Sequence, residues 1–129
     1  MPFAPMVLEE DYEDLFTDPK EKITDSLQFM TVTANSKPQL KQETPGVVHI
    51  DGTARPQVLT SKNNPDCYEI VKNYKKRTGL RAIINTSFNI HNEPIVCTEE
   101  DALRTFIKSE VDYLFLEEYE IPSPSLVET

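Results

Sequence analysis

The sequence predicts an α/β domain, with α+β as the alternative, on three observations. Two amphipathic helices carry clear start signals, an apolar run of strand length separates them, and strand-like runs precede and follow. The 129 residues amount to one ordinary domain, and 38% hydrophobic with 27% charged residues is a globular balance.

Pro2 and Pro5 fix an extended opening. Val7 to Phe16 reads as a short acidic helix with Leu8, Tyr12, Leu15 and Phe16 on one side. Leu27 to Val32 reads as a strand through Phe29, Thr31 and Val32, and Ala34 to Gly46 as a polar loop interrupted by Pro38 and Pro45. Val47 to Ile50 reads as a short strand leading into Asp51-Gly52-Thr53-Ala54-Arg55-Pro56, and Gln57 to Thr60 extends again.

The clearest helix covers Pro65 to Thr78. Asn64 is its N-cap, Pro65 suits the first helical position and Gly79 suits the stop. Cys67, Ile70, Val71 and Tyr74 form its inward stripe, which makes Cys67 a core residue. Ala82, Ile83 and Ile84 read as a strand buried on both faces. Thr98 with Asp101 resembles a capping box that opens a second helix, with Leu103, Phe106 and Ile107 facing inward. Tyr113 to Leu116 is the next strand, and residues 122–129 form a flexible tail.

Charge excludes several functions. The formal charge of -9 argues against a general nucleic-acid binder, and no apolar run reaches membrane-spanning length. Cys67 and Cys97 do not make a disulfide framework, and His49 and His91 have no zinc-ligand spacing, so no metal site is expected. The charge is also uneven. Between Lys37 and Arg81 nine bases face four acids. Lys72, Lys75 and Lys76 read as the solvated face of a helix, whereas Arg55 sits in a turn-like setting beside glycine and proline.

Two stretches have the composition of binding loops. His49-Ile50-Asp51-Gly52-Thr53-Ala54-Arg55 places a permissive glycine, a hydroxyl and a guanidinium fork close together after a predicted strand. Asn85-Thr86-Ser87-Phe88-Asn89 offers two amides and two hydroxyls directly after another. Such positions suit an anionic ligand if the two corners converge. No glycine-rich phosphate loop is present.

Together with Pro2-Phe3-Ala4-Pro5, Glu93-Pro94-Ile95-Val96-Cys97 and Glu100-Asp101-Ala102, these stretches resemble the C-terminal region of the NodU/CmcH/TobZ-type O-carbamoyltransferases over about residues 1 to 121. The resemblance implies a YrdC-like open, twisted mixed sheet with helices, incomplete in this chain. It implies that carbamoyl phosphate and ATP, with Mg as its companion ion, react to carbamoyl adenylate and pyrophosphate. A Kae1-like N-terminal domain, in cis or in trans, then transfers the carbamoyl group to a hydroxyl acceptor, and iron belongs to that domain. The implied setting is cytoplasmic, without nucleic acid or membrane, with self-association through an exposed docking surface and little or no activity for this chain alone.

Residue by residue, the resemblance assigns catalysis to Arg55 and Ser87, and substrate binding to Arg55, Asn85, Ser87, Thr53, Thr86 and Asn89. His49 and Asp51 are expected to brace their loop. The family usually has a basic residue where Met1 stands, and glycine where Asn92 stands. Asparagine is the next-best residue for a left-handed turn. The alternatives are a non-catalytic small-anion or nucleotide-binding module and a structural partner of a larger subunit.

Overall fold

The computed structural model describes residues 3–19 and 26–127. They form two compact units, Met1–Thr86 and Ser87–Thr129. The expectations for Met1 and Pro2, and for the last two positions of the tail, lie outside the described residues.

The first unit is organised by strand β1 (Ala4–Leu8). It lies at the centre of a three-stranded sheet, between β4 (Gln57–Leu59) and β5 (Ala82–Asn85). β4 runs parallel to β1, with Val7 opposite Val58, and β5 runs antiparallel, with Val7 opposite Ala82. Alternation then sorts the side chains. Val7, Val58 and Ala82 enter one core with Tyr12, Leu15, Phe16, Leu27 and Leu40. Leu8 and Leu59 enter the other, against Val71, with Met6 and Ile83 packed beside them.

Val7 and Leu8 are therefore strand, not helix. Helical geometry begins only at a 3-10 turn over Glu9–Asp11 and continues as α1 (Tyr12–Leu15). The acidic run is helical, but pairing with β4, and for Val7 with β5 as well, claims its first two apolar residues.

Four other expectations also change. Ser26–Phe29 is a 3-10 turn rather than a strand, buries Leu27 and ends at Met30 with φ 55°. The stretch read as a polar loop contains β2 (Ala34–Asn35) and α2 (Pro38–Glu43), with Pro38 at the helix start and Leu40 buried. Val47 to Ile50 is no strand: Pro45–Val47 is a 3-10 turn, and pairing is taken by β3 (Thr53–Ala54) against β2. Nor is Ala82 to Ile84 buried on both faces, because β5 is the last strand in its sheet and Ile84 is 44% exposed.

Helix α3 (Pro65–Thr78) has the boundaries its caps dictate. Asn64 Oδ1 accepts from Cys67 N at 3.3 Å, and Gly79 ends the helix at φ 76°. Val71 is fully buried and Cys67 and Tyr68 pack around it, but Ile70 is 58% exposed, so the buried stripe is narrower than its spacing suggests. Lys75 does more than solvate the helix: its Nζ donates to both oxygens of buried Asp11, at 2.7 and 2.9 Å.

Tyr12 is wholly buried, stacks on Phe16 with ring centroids 4.9 Å apart, and has a hydroxyl without a hydrogen-bond partner among the described residues. Burial, helped by the Asp18 charge, pushes its pKa up to about 12. Removing an unpaired buried hydroxyl is favourable, so Tyr12→Phe is expected to raise stability by about 1 kcal/mol in urea titration at pH 7. The unfolded chain ionises at the ordinary tyrosine value near 10.0, before the folded protein does. Stability is thus present below that pH and falls as pH rises towards the folded value, and Tyr12→Phe should lose this part of the alkaline dependence.

The second unit pairs β6 (Tyr113–Leu116) with β7 (Tyr119–Pro122) as an antiparallel hairpin beside α4 (Glu99–Lys108). Thr98 Oγ1 accepts from Asp101 N at 3.1 Å, the capping bond expected from the sequence. Ala102, Phe106 and Leu114 form the core with Phe88, Val96, Leu116 and Ile121 against it. Leu103 and Ile107, expected inside, are exposed, and Ala102 and Thr105 take their places. A short helix, α5 (Pro124–Val127), follows β7 within the segment read as tail. Among the described residues the fold is thus mixed α/β with several small sheets and no closed barrel.

Candidate functional site

The loop before β3 is closed by its own polar groups. Gly52 N donates to His49 O at 3.0 Å and His49 N to Thr53 O at 2.7 Å, a closure in which Gly52 adopts φ 81°. That left-handed conformation is the reason for glycine there. Asp51 Oδ1 accepts from Thr53 N at 3.0 Å and from Thr53 Oγ1 at 2.8 Å. The Thr53 bonds, backbone first, hold the Asp51 carboxyl below its usual range.

Thr53 Oγ1 also lies 3.0 Å from His49 Nδ1. Since the hydroxyl proton goes to Asp51, His49 Nδ1 is the donor to Thr53 Oγ1. Nε2 is buried without a partner among the described residues. His49 and Asp51 therefore brace the loop, and the Thr53 hydroxyl is engaged within it.

Arg55 follows on the connection between β3 and β4, partly exposed and flanked by buried Ala54 and Pro56. Among the described residues no carboxylate pairs with it, in contrast to Arg81 and Arg104. Two residues on, Gln57 opens β4 opposite Met6, and Asn85 closes β5 opposite Ala4. One flanking strand is parallel and the other antiparallel to β1, so the start of β4 and the end of β5 share one end of the sheet. Across that end Asn85 Nδ2 donates to Gln57 Oε1 at 2.8 Å. The Met30 thioether is 3.6 Å from the same nitrogen.

Arg55 and Asn85, far apart in sequence, are thus brought to the same edge of the first unit. The reason differs from the expected one: Arg55 follows β3 and not a strand over Val47 to Ile50, and it reaches the end of the three-stranded sheet because it precedes β4. Thr86 is exposed immediately after Asn85. Beside Gln57 lies a cleft of about 120 Å³ lined also by Gln28, Phe29, Asn63 and Asn64. Gln57 and Met30 had not been singled out. The signal available for Gln57 was a polar residue between Arg55 and the apolar Val58-Leu59 pair, while nothing in the sequence pointed to Met30.

Ser87 and Asn89 lie in the second unit, in the loop before α4. Ser87 Oγ donates to Asn89 Oδ1 at 2.5 Å, and Asn89 Nδ2 donates to the carbonyls of Ile90 and Glu93 at 3.2 and 3.0 Å. These side chains stitch a turn in which Glu93 N donates to Ile90 O at 2.9 Å and Asn92 has φ 69°. Asparagine in the place of the family's glycine therefore adopts the left-handed form. Asn92→Gly is expected to leave stability within about 1 kcal/mol, and Asn92→Val to lower it by about 1–2 kcal/mol in urea titration. Cys97 is exposed and precedes α4 outside any strand.

Among the described residues no three His, Cys, Asp or Glu side chains come together as a metal site. No helix among them is long and apolar enough to cross a membrane.

The first unit is thus a mixed α/β module that holds Arg55, without a carboxylate partner among the described residues, and the fixed amide of Asn85 at one end of its sheet. Comparison with known proteins makes the class specific. The chain belongs to the carbamoyltransferase C-terminus family, whose pattern matches residues 1–122. It is 42% identical over 118 residues to a protein of Methanocaldococcus jannaschii, covering 92% of this chain and 19% of that protein. It is 39% identical to nodulation protein NolO of Bradyrhizobium diazoefficiens, over 88% of this chain and 20% of the relative. Nodulation protein NolNO of Sinorhizobium fredii is 37% identical over 92% of this chain and 17% of its own length. The chain thus spans about a fifth of the length of these relatives.

Proposed function

We propose that this chain is the part of an O-carbamoyltransferase that binds carbamoyl phosphate and ATP for formation of carbamoyl adenylate. Transfer to a hydroxyl acceptor then belongs to a Kae1-like domain. The observation that carries the reading is Arg55, uncommitted among the described residues and at the same sheet end as Asn85, in a member of the carbamoyltransferase C-terminus family.

In this reading the Arg55 guanidinium holds a phosphate group through paired N–H donors and offsets the charge that builds at phosphorus. Asn85 orients the carbamoyl group, and Thr86 supports it from the next position. Thr53 acts indirectly by fixing the loop that carries Arg55. Ser87 and Asn89 enter on the family motif, and their internal bonds make them organisers of the second loop. The atoms balance when one water splits carbamoyl phosphate to carbamate and orthophosphate. A carbamate oxygen then displaces pyrophosphate from the α-phosphorus of ATP, whose Mg arrives with the nucleotide. A cytoplasmic setting, where both substrates are made and where free Cys67 and Cys97 stay reduced, belongs to the same reading.

Calorimetric titration of the chain with carbamoyl phosphate, then with Mg-ATP, tests the proposal. Saturable binding of carbamoyl phosphate is expected, and pyrophosphate release should appear once the upstream remainder of the YrdC-like part is joined to it. No heat with either ligand would sink the reading. Exposed Phe29, Ile50, Phe115 and Tyr119 leave apolar surface for association, and a monodisperse monomer in light scattering would count against self-association.

A further inference from the structure

Asn85 has one carboxamide, and its surroundings settle which way it faces. The Met30 sulfur is a thioether, an acceptor without a proton, and it lies 3.6 Å from Nδ2. Gln57 Oε1 accepts from the same nitrogen at 2.8 Å. The NH2 group of Asn85 is therefore turned towards Gln57 and Met30, with an acceptor for each of its hydrogens. Flipping the amide would set its oxygen against the sulfur lone pairs. Asn85 Oδ1 is left without a donor among the described residues, and it is not among their buried unpaired atoms. At the sheet end shared with Arg55, Asn85 thus presents a hydrogen-bond acceptor.

An acceptor at the same sheet end as an uncommitted guanidinium is wrong for a second phosphate oxygen and right for an N–H. Carbamoyl phosphate has one such group, its NH2. Acetyl phosphate has the same phosphate with a methyl in that place. We propose that Asn85 determines specificity by accepting a hydrogen bond from the carbamoyl amino group, and that Gln57 is the positioning residue that keeps its oxygen outward. This inference rests on the reading that carbamoyl phosphate binds beside Arg55.

The test is a set of calorimetric titrations of the full chain with carbamoyl phosphate, acetyl phosphate and orthophosphate. Wild type is expected to prefer carbamoyl over acetyl phosphate by about tenfold, the worth of one neutral hydrogen bond. In Gln57→Met the amide of Asn85 loses its main anchor, so that preference should fall to about twofold or less while orthophosphate affinity stays unchanged. Gln57→Glu keeps an acceptor for Nδ2 and should retain the preference, which a merely structural role for Gln57 does not predict.

NMR of the wild-type side-chain amides gives a reading independent of any variant's folding. On adding carbamoyl phosphate the Asn85 Nδ2 hydrogens should keep the bonded environment they have without ligand. A large shift or loss of protection there would mean that Asn85 donates, and would overturn the inference. So would equal binding of carbamoyl and acetyl phosphate by wild type, or an undiminished preference in Gln57→Met. Failure of wild type to bind any of the three ligands would instead overturn the reading beneath it.

Discussion

Glu43→Ala is expected to lower the stability of the chain by about 2–4 kcal/mol at pH 7, among the largest losses any single charged residue here should produce. Glu43 ends α2, and its carboxylate accepts from Arg81 twice over, from the backbone N at 3.1 Å and from the guanidinium Nε at 3.0 Å, with Nη2 closing the pair. Both side chains are about four-fifths buried, at 20% and 18% exposure. Arg81 immediately precedes β5 and also reaches Asp14 in α1 at 3.2 Å. One carboxylate thus fixes the entry to a strand and ties it to two helices, and its removal leaves a largely buried guanidinium short of its main partner.

The acid dependence follows from the direction of the shift. The Arg81 hydrogen bonds, opposed by burial, hold the Glu43 carboxyl below 4.5. The stabilisation is therefore complete above the unfolded value and disappears as pH falls through the folded one. Urea titrations of wild type and Glu43→Ala should differ most at neutral pH and converge towards pH 3. A gap that stayed constant across that range would show that the loss came from packing and not from the ion pair.

Arg55→Ala is expected to weaken carbamoyl phosphate binding by about 10- to 150-fold, the worth of roughly 1.5–3 kcal/mol for a charge-assisted contact. Arg55→Lys should recover only part of it, since an ammonium lacks the planar fork that meets two oxygens at once. Because Arg55 has no ion-pair partner among the described residues, its removal should move the urea midpoint little, by about 0.5 kcal/mol or less. The contrast with Glu43 is the useful part: one residue carries stability and the other, in the proposed reading, carries ligand. Unchanged affinity in Arg55→Ala would remove Arg55 from the site.

Where local signals act alone, the sequence was readable. Asn64, Pro65 and Gly79 bound α3, and Thr98 opens α4, because a cap is satisfied by atoms a few residues away. β6 ran where its apolar pattern put it. Asn92 kept its left-handed turn for an equally local reason. The motifs that gave the family were also plain in the primary order, because they are runs of adjacent residues.

Tertiary pairing decided the rest. Val7 became strand between β4 and β5, and Leu8 against β4, and Ile84 stayed half-exposed on β5, beyond which no described strand pairs in its sheet. Thr53 and Ala54, not the more apolar Val47 to Ile50, took the strand because Ala34 and Asn35 faced them. Amide orientation is of the same kind. That Asn85 turns its NH2 inward depends on a sulfur 55 residues away and a glutamine 28 residues away in sequence. Covalent neighbours fix caps and turns through short-range hydrogen bonds, whereas the direction in which a side chain offers its lone pairs is set by groups that only folding brings within reach.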